Sequence, residues 1–163
     1  MGKQIIYLSE AVDQVEMVKK GSLKSLKCPC CGQRCQVYRQ KLYSTMAKFL
    51  VILVKAWEEK KDWVNVRDDP RFKGVTRNGN YAYLKHWNLV IQRPNGSDSN
   101  IRTSGMWMPS QSGIDFVYKR LSVPSHVYIF DNRVQRWEDK QFTIEDALTS
   151  KFNYAELISG KDM

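Results

Sequence analysis

The chain has 163 residues, of which 42% are apolar and 12% aromatic, with 26 Lys and Arg against 17 Asp and Glu for a net charge of +9. That length suits one domain with a small appendage, and the apolar and aromatic content excludes a disordered chain despite the charge. The longest apolar run, Phe49–Val54, is bracketed by Lys48 and Lys55 and falls far short of the roughly 18 residues of a membrane span, so it reads as core.

Met1–Leu8 lacks the long apolar stretch and small-residue cleavage site of a secretory signal, so a cytoplasmic protein is expected. Ser9 is the expected N-cap of a short helix to Lys20, with Val12, Val15 and Val18 or Met17 on its apolar face and Gly21 as its stop. The segment Leu23–Tyr38 that follows holds all the cysteines, Cys28, Cys30, Cys31 and Cys35, and reads as a knuckle with short extended arms. Such clustering is unlike the spread of a secreted disulfide framework and points to metal or redox use. Cys28-Pro29-Cys30-Cys31-Gly32 contains a C-x-x-C with Gly after it, the shape of a zinc knuckle whose backbone amides turn toward the thiolates. One knuckle supplies two ligands; Cys35 and Cys30 would complete a compact four-thiolate site, in which ligation by the adjacent Cys30 and Cys31 is geometrically awkward. Structural Zn2+, a degenerate ribbon with free thiols, and a redox pair all stay open. Lys27 and Arg34 would lower the thiol pKa under each.

The clearest helix runs from about Leu42 or Ser44 to Lys60, where Met46, Phe49, Leu50, Leu53, Val54 and Trp57 recur at spacings of three and four. From Met17 to Trp57 the chain carries nine basic residues and no acidic one. Trp63–Val66 predicts a short strand ahead of an Asp68-Asp69-Pro70 turn. A second acid-free window, Pro70–Ser97, carries Arg71, Lys73, Arg77, Lys85 and Arg93. Within it, Asn78-Gly79-Asn80 opens a helical pattern whose apolar stripe is Tyr81, Leu84 and Trp87, with Tyr83 as a further candidate. Leu89-Val90-Ile91 and Gly105–Met108 predict two strands joined by a polar loop, Pro94–Ser104. Two strands and an exposed loop directly after a helix make a wing.

Pro109-Ser110 opens a helix to Tyr118, with Ile114, Phe116 and Val117 inward; Val127–Phe130 and Val134–Trp137 flank Asp131-Asn132-Arg133 as a hairpin. Thr143 caps a final helical stretch that offers Ala147, Leu148, Phe152, Leu157 and Ile158 for packing. From Trp137 onward six acidic residues face three basic ones, so the two ends of the chain differ in potential. The expected fold class is α+β: a knuckle arm in 1–40, a winged-helix-like domain in 41–122, and a hairpin and helical extension in 123–163 packed on the same unit.

The run NGNYAYLKHWNLVIQRP, and after it GMWMPSQSGIDFVYKRLSVPSHVYIFDNRV, resembles winged helix-turn-helix proteins of phages and bacteria, including regulators of the multiple-antibiotic-resistance type. The positions that carry the resemblance are Leu84, Trp87, Leu89-Val90, Trp107-Met108-Pro109 and Ser110-Gln111-Ser112-Gly113. Upstream, KCPCCGQRCQVYRQKLYSTMAKFLVIL resembles small phage proteins with a CPxCG knuckle before the first long helix. Together these cover Leu26 to Val134. Asn88 stands where a Gly is usual and Ser110 where a Thr is usual; Asn tolerates left-handed geometry and Ser caps helices.

The resemblance implies that the helix before the wing enters the major groove of duplex DNA. Arg77, Asn78, Asn80, Lys85, His86 and Asn88 are the residue types such a helix needs. Phosphate contacts would come from Lys73, Arg93, Arg102, Lys41 and Lys48. An acidic or nucleic-acid-binding host protein is the alternative partner, in which case the chain is a small anti-defence inhibitor. Helices at 9–20 and 143–158 are candidates for a homodimer contact. No enzyme is expected. Neither His86 nor His126 has a carboxylate or nucleophile at suggestive spacing, and Glu58-Glu59 and Asp68-Asp69 read as solvated surface.

Overall fold

The computed structural model describes residues 7–94 and 105–160. The elements run α1 (Leu8–Lys20), β1 (Ser25–Lys27), β2 (Arg34–Gln36), β3 (Tyr38–Lys41), α2 (Ser44–Lys60), β4 (Val64–Asn65), then 3-10 helices at Pro70–Phe72 and Asn80–Trp87. They continue β5 (Val90–Gln92), β6 (Met106–Pro109), α3 (Gln111–Val117), β7 (Val123–Pro124), β8 (His126–Phe130), β9 (Arg133–Trp137), β10 (Gln141–Phe142), α4 (Ile144–Leu148) and α5 (Tyr154–Ser159). The class is α+β. Among the described residues no helix is long and apolar enough to cross a membrane.

Two compact units are present: Met1–Gln40 with His126–Glu138, and Lys41–Ser125 with Asp139–Met163. The stretch 123–163, expected as a single extension, is thus divided, because the 126–138 hairpin belongs with the knuckle arm. Pairing explains why: β8 lies between β3 and β9 in one three-stranded sheet.

In the first unit, α1 begins two residues earlier than its sequence suggests. The Glu10 carboxylate accepts the Tyr7 amide at 3.1 Å, so Tyr7 rather than Ser9 is the N-cap. Gly21 ends the helix at φ +85, where its amide reaches Met17 and Val18 carbonyls. The inward face is Ala11 and Val18, while Val12 and Met17 are 51% and 46% exposed, a rotation away from the expected Val12-led stripe. β1 and β2 pair antiparallel, Lys27 opposite Arg34 and Leu26 opposite Cys35.

In the second unit α2 is central. Met46, Ala47, Phe49–Val54 and Ala56 are all buried, nearly the full circumference of the helix, because β6, α3, α4, α5 and the 3-10 helices Pro70–Phe72 and Asn80–Trp87 pack on it. Each of these side chains larger than Ala contributes on the order of 1.5–3 kcal/mol of burial. The adjacent sheet has the order β4-β6-β5, antiparallel throughout, with Val64 opposite Trp107 and Ile91 opposite Met108. The strand before the helical segments therefore pairs with the last strand, across more than forty residues of sequence.

Ser110 joins this sheet to α3. Its hydroxyl accepts the Gly113 amide at 3.0 Å and donates to the Asn88 carbonyl at 2.5 Å. Ser110→Ala removes both bonds and is expected to cost about 1–2 kcal/mol, seen as a lower urea midpoint at an unchanged slope.

Candidate nucleic-acid interface

The Asn80–Trp87 segment is a 3-10 helix, with three residues per turn, so side chains three apart eclipse one another. Its inner row is Tyr81, Leu84 and Trp87. Tyr81 stacks on Phe49 at 4.6 Å between centroids and meets the edge of Trp107 at 5.4 Å; Leu84 and Trp87 are buried, and Trp87 Nε1 donates to the Pro124 carbonyl at 2.7 Å. The inner row obeys the three-residue period strictly, a signal present in the sequence. Two rows are left outside, Asn80 with Tyr83 and His86, and Ala82 with Lys85 and Asn88. Tyr83 is 39% exposed and its ring lies 6.1 Å from that of His86.

Local chemistry sets the ends of this segment. Gly79 enters it at φ +72, and the Asn78 side chain accepts the Asn80 amide at 3.1 Å. Asn88 closes it at φ +57, its amide reaching the Leu84 and Lys85 carbonyls. Asn supplies the left-handed residue that the turn into β5 requires.

The structure places Lys73, Arg77, Asn78, Asn80, Lys85, His86, Asn88 and Arg93 in one unit, on the path from the first 3-10 helix to the end of β5. Arg93 is anchored through its backbone amide, which donates to Met106 at 2.9 Å. Lys48 is engaged elsewhere: its ammonium lies 4.7 Å over the Phe152 ring, ahead of α5. Lys41 ends β3, and Arg102, with the loop residues 95–104, lies outside the described residues.

Ion pairing sorts the basic residues in a way composition does not. Arg71, inside the acid-free window, pairs with Asp69 at 2.7 Å and with Glu59 at 2.9 Å. Hydrogen bonds from Arg71 hold the Asp69 carboxyl below the usual carboxylate range. Arg39 and Lys55 of the other window pair with Glu138 and Glu58. Lys73, Arg77 and Lys85 are exposed, and among the described residues none of them has an acidic partner within 4.0 Å. Arg67, absent from the sequence-based set, belongs with them; its Cδ lies 3.1 Å from where a Cβ on Gly105 would stand.

The knuckle lies in the other unit. Cys28 donates its amide to Gln33 at 2.7 Å, Gly32 returns its own to Cys28 at 2.9 Å, and Gly32 takes φ +76. The pairing register puts Cys28 and Cys35 on the same face of the hairpin, as diagonal neighbours. The amides of Cys31 and Cys30 hold the Cys28 thiol below its ordinary range, whereas burial pushes Cys35 up. All four thiols are free. Among the described residues no group of three His, Cys, Asp or Glu side chains is arranged to hold a metal ion.

Comparisons of the chain with protein families, with curated proteins and with solved structures found no match.

Proposed function

We propose that the second unit is a winged-helix-like module that binds duplex DNA, in a non-catalytic regulatory protein of phage or prophage type. The observation that carries this reading is the Asn80–Trp87 helix, held by its Tyr81-Leu84-Trp87 row against α2 and leading into the antiparallel β5-β6 pair. Its outer rows offer Asn80, His86, Lys85 and Asn88 to base edges, and Lys73, Arg77 and Arg93 flank them for phosphates. No carboxylate interrupts the sequence from Pro70 to Ser97, which concentrates positive charge along it.

The test is a fluorescence titration with random-sequence duplex across a salt series. Affinity should fall steeply, with a log–log slope of about −0.9 for each phosphate contacted. Absence of binding at low salt would overturn the reading. Tyr83, exposed beside His86, favours a second reading, since tyrosine is enriched in protein interfaces. In that reading the same surface docks on an acidic or nucleic-acid-binding host protein, and capture of such a partner that duplex DNA cannot displace would favour it.

For the knuckle, the C-x-x-C-G spacing and the shared face of Cys28 and Cys35 support a structural zinc ion held by Cys28, Cys31, Cys35 and Cys30. Native mass spectrometry should then show a discrete increment that a chelator removes. An unchanged mass would leave the hairpin as a free-thiol turn.

A further inference from the structure

Between β4 and the Asn80–Trp87 helix lies a hollow of about 490 Å³, lined by Val66, Arg67, Asp68, Asp69, Pro70, Lys73, Gly74, Thr76 and Arg77. Its volume falls in the range of small-ligand sites, roughly 300–1,000 Å³. Two carboxylates line it, and both are occupied by neighbours: Asp69 grips the Arg71 guanidinium through both oxygens, and Asp68 accepts the Asn65 amide group at 2.8 Å. Arg67, Lys73 and Arg77 are exposed and have no acidic partner among the described residues.

The backbone adds donors. Among the described residues the amides of Gly74, Thr76 and Arg77 make no hydrogen bond to a carbonyl, while those of Phe72, Lys73 and Val75 are used within the turn. Gly74 sits at φ +97 with open space within 4 Å of where a Cβ would stand. Glycine is thus required there by conformation rather than by crowding. Free amides and cationic side chains around one concavity suit an anion.

We propose that this hollow seats a phosphodiester of the nucleic-acid backbone, held by Arg67, Lys73 and Arg77 with the amides of Gly74, Thr76 and Arg77; the proposal rests on the DNA-binding reading and gives it a phosphate anchor. Arg77's flanking phosphate role is thereby made specific, and Arg67 becomes part of the interface. Its stem against Gly105 ties the anchor to the start of β6, where the Val66 amide also donates to the Gly105 carbonyl at 3.0 Å.

The experiment uses the full chain labelled with 15N. Inorganic phosphate should shift the Gly74, Thr76 and Arg77 amide resonances, and Lys73→Ala/Arg77→Ala should abolish those shifts while the rest of the spectrum stays folded. With duplex DNA the same variant should lower the salt slope by about 0.9 for one lost phosphate contact. Amides unmoved by phosphate, or moved equally in the variant, would overturn the seat. Phosphate shifts combined with an unaltered duplex slope would overturn it as a nucleic-acid contact and leave a free-anion site. A wild-type chain that shows phosphate shifts but binds no duplex overturns the DNA reading instead, so the two failures are told apart.

Discussion

Gly113→Ala is expected to destabilise the chain by about 3 kcal/mol or more, at or above the upper end of the usual overpacking cost of roughly 1–3 kcal/mol. A Cβ at Gly113 would stand 2.1 Å from the Leu89 carbonyl oxygen and 3.1 Å from its carbon. Neither partner can step aside cheaply. Leu89 is fully buried, its carbonyl accepts the Ser110 amide at 3.0 Å, and its amide donates to Leu84 at 3.3 Å. On the other side, Leu50 Cδ1 of α2 is 3.5 Å from the same point. Relief requires α3 to lift, which breaks the Ser110 cap and opens β5 from the helical core. Thermal unfolding reads the result: for a chain of this size each kcal/mol lowers Tm by roughly 2–4 °C. A loss of under about 1 kcal/mol, the level of an ordinary surface change, would show that α3 can shift freely and that this contact does not organise the unit.

Reversing charge at Lys85 and Arg77 together is expected to weaken duplex binding by about a hundredfold or more at low salt, since each phosphate or base contact carries on the order of 1–3 kcal/mol. Of the two, Arg77 is the one placed on a phosphate, so the salt slope should also flatten by about 0.9. Both side chains are exposed and neither has an ion pair among the described residues, so stability should hardly change; Lys85 loses only a distant 5.8 Å approach to the Trp107 ring. That separation of effects matters. Lys85→Glu/Arg77→Glu with wild-type Tm and wild-type affinity would refute the assignment of this surface, whatever else the protein binds. Arg71→Glu should behave oppositely, losing the Asp69 and Glu59 pairs and therefore stability, because Arg71 is a structural cation inside a basic window.

The candidate interface was largely legible in the sequence because its residues are nearly consecutive. An acid-free stretch opened by Asn-Gly-Asn and threaded by Tyr81, Leu84 and Trp87 announces a helical segment with a polar outer side. Its three-residue apolar stripe is compatible with an α- or a 3-10 helix, and the 3-10 geometry came from the structure. What composition could not convey is which cations are already spoken for. Arg71 and Arg67 are chemically alike and four positions apart, yet one is held by Glu59, twelve residues upstream, and the other lines the hollow.

The chain by itself determined its local elements, because each depends on neighbours within one turn. α2 follows from apolar spacing, α1 stops at Gly21, and α4 is capped by Thr143, whose hydroxyl accepts the Asp146 amide at 3.2 Å and whose amide donates to the Asp146 carboxylate at 2.9 Å. Only the tertiary structure decided the non-local partners. It placed β6 between β4 and β5, grouped the 126–138 hairpin with the knuckle arm, and buried α2 on nearly every side. It also gave Gly113 its reason, a carbonyl twenty-four positions away that occupies the space a Cβ would need. Such pairings are settled by global packing and the closing of long loops, and no short-range pattern in the sequence encodes them.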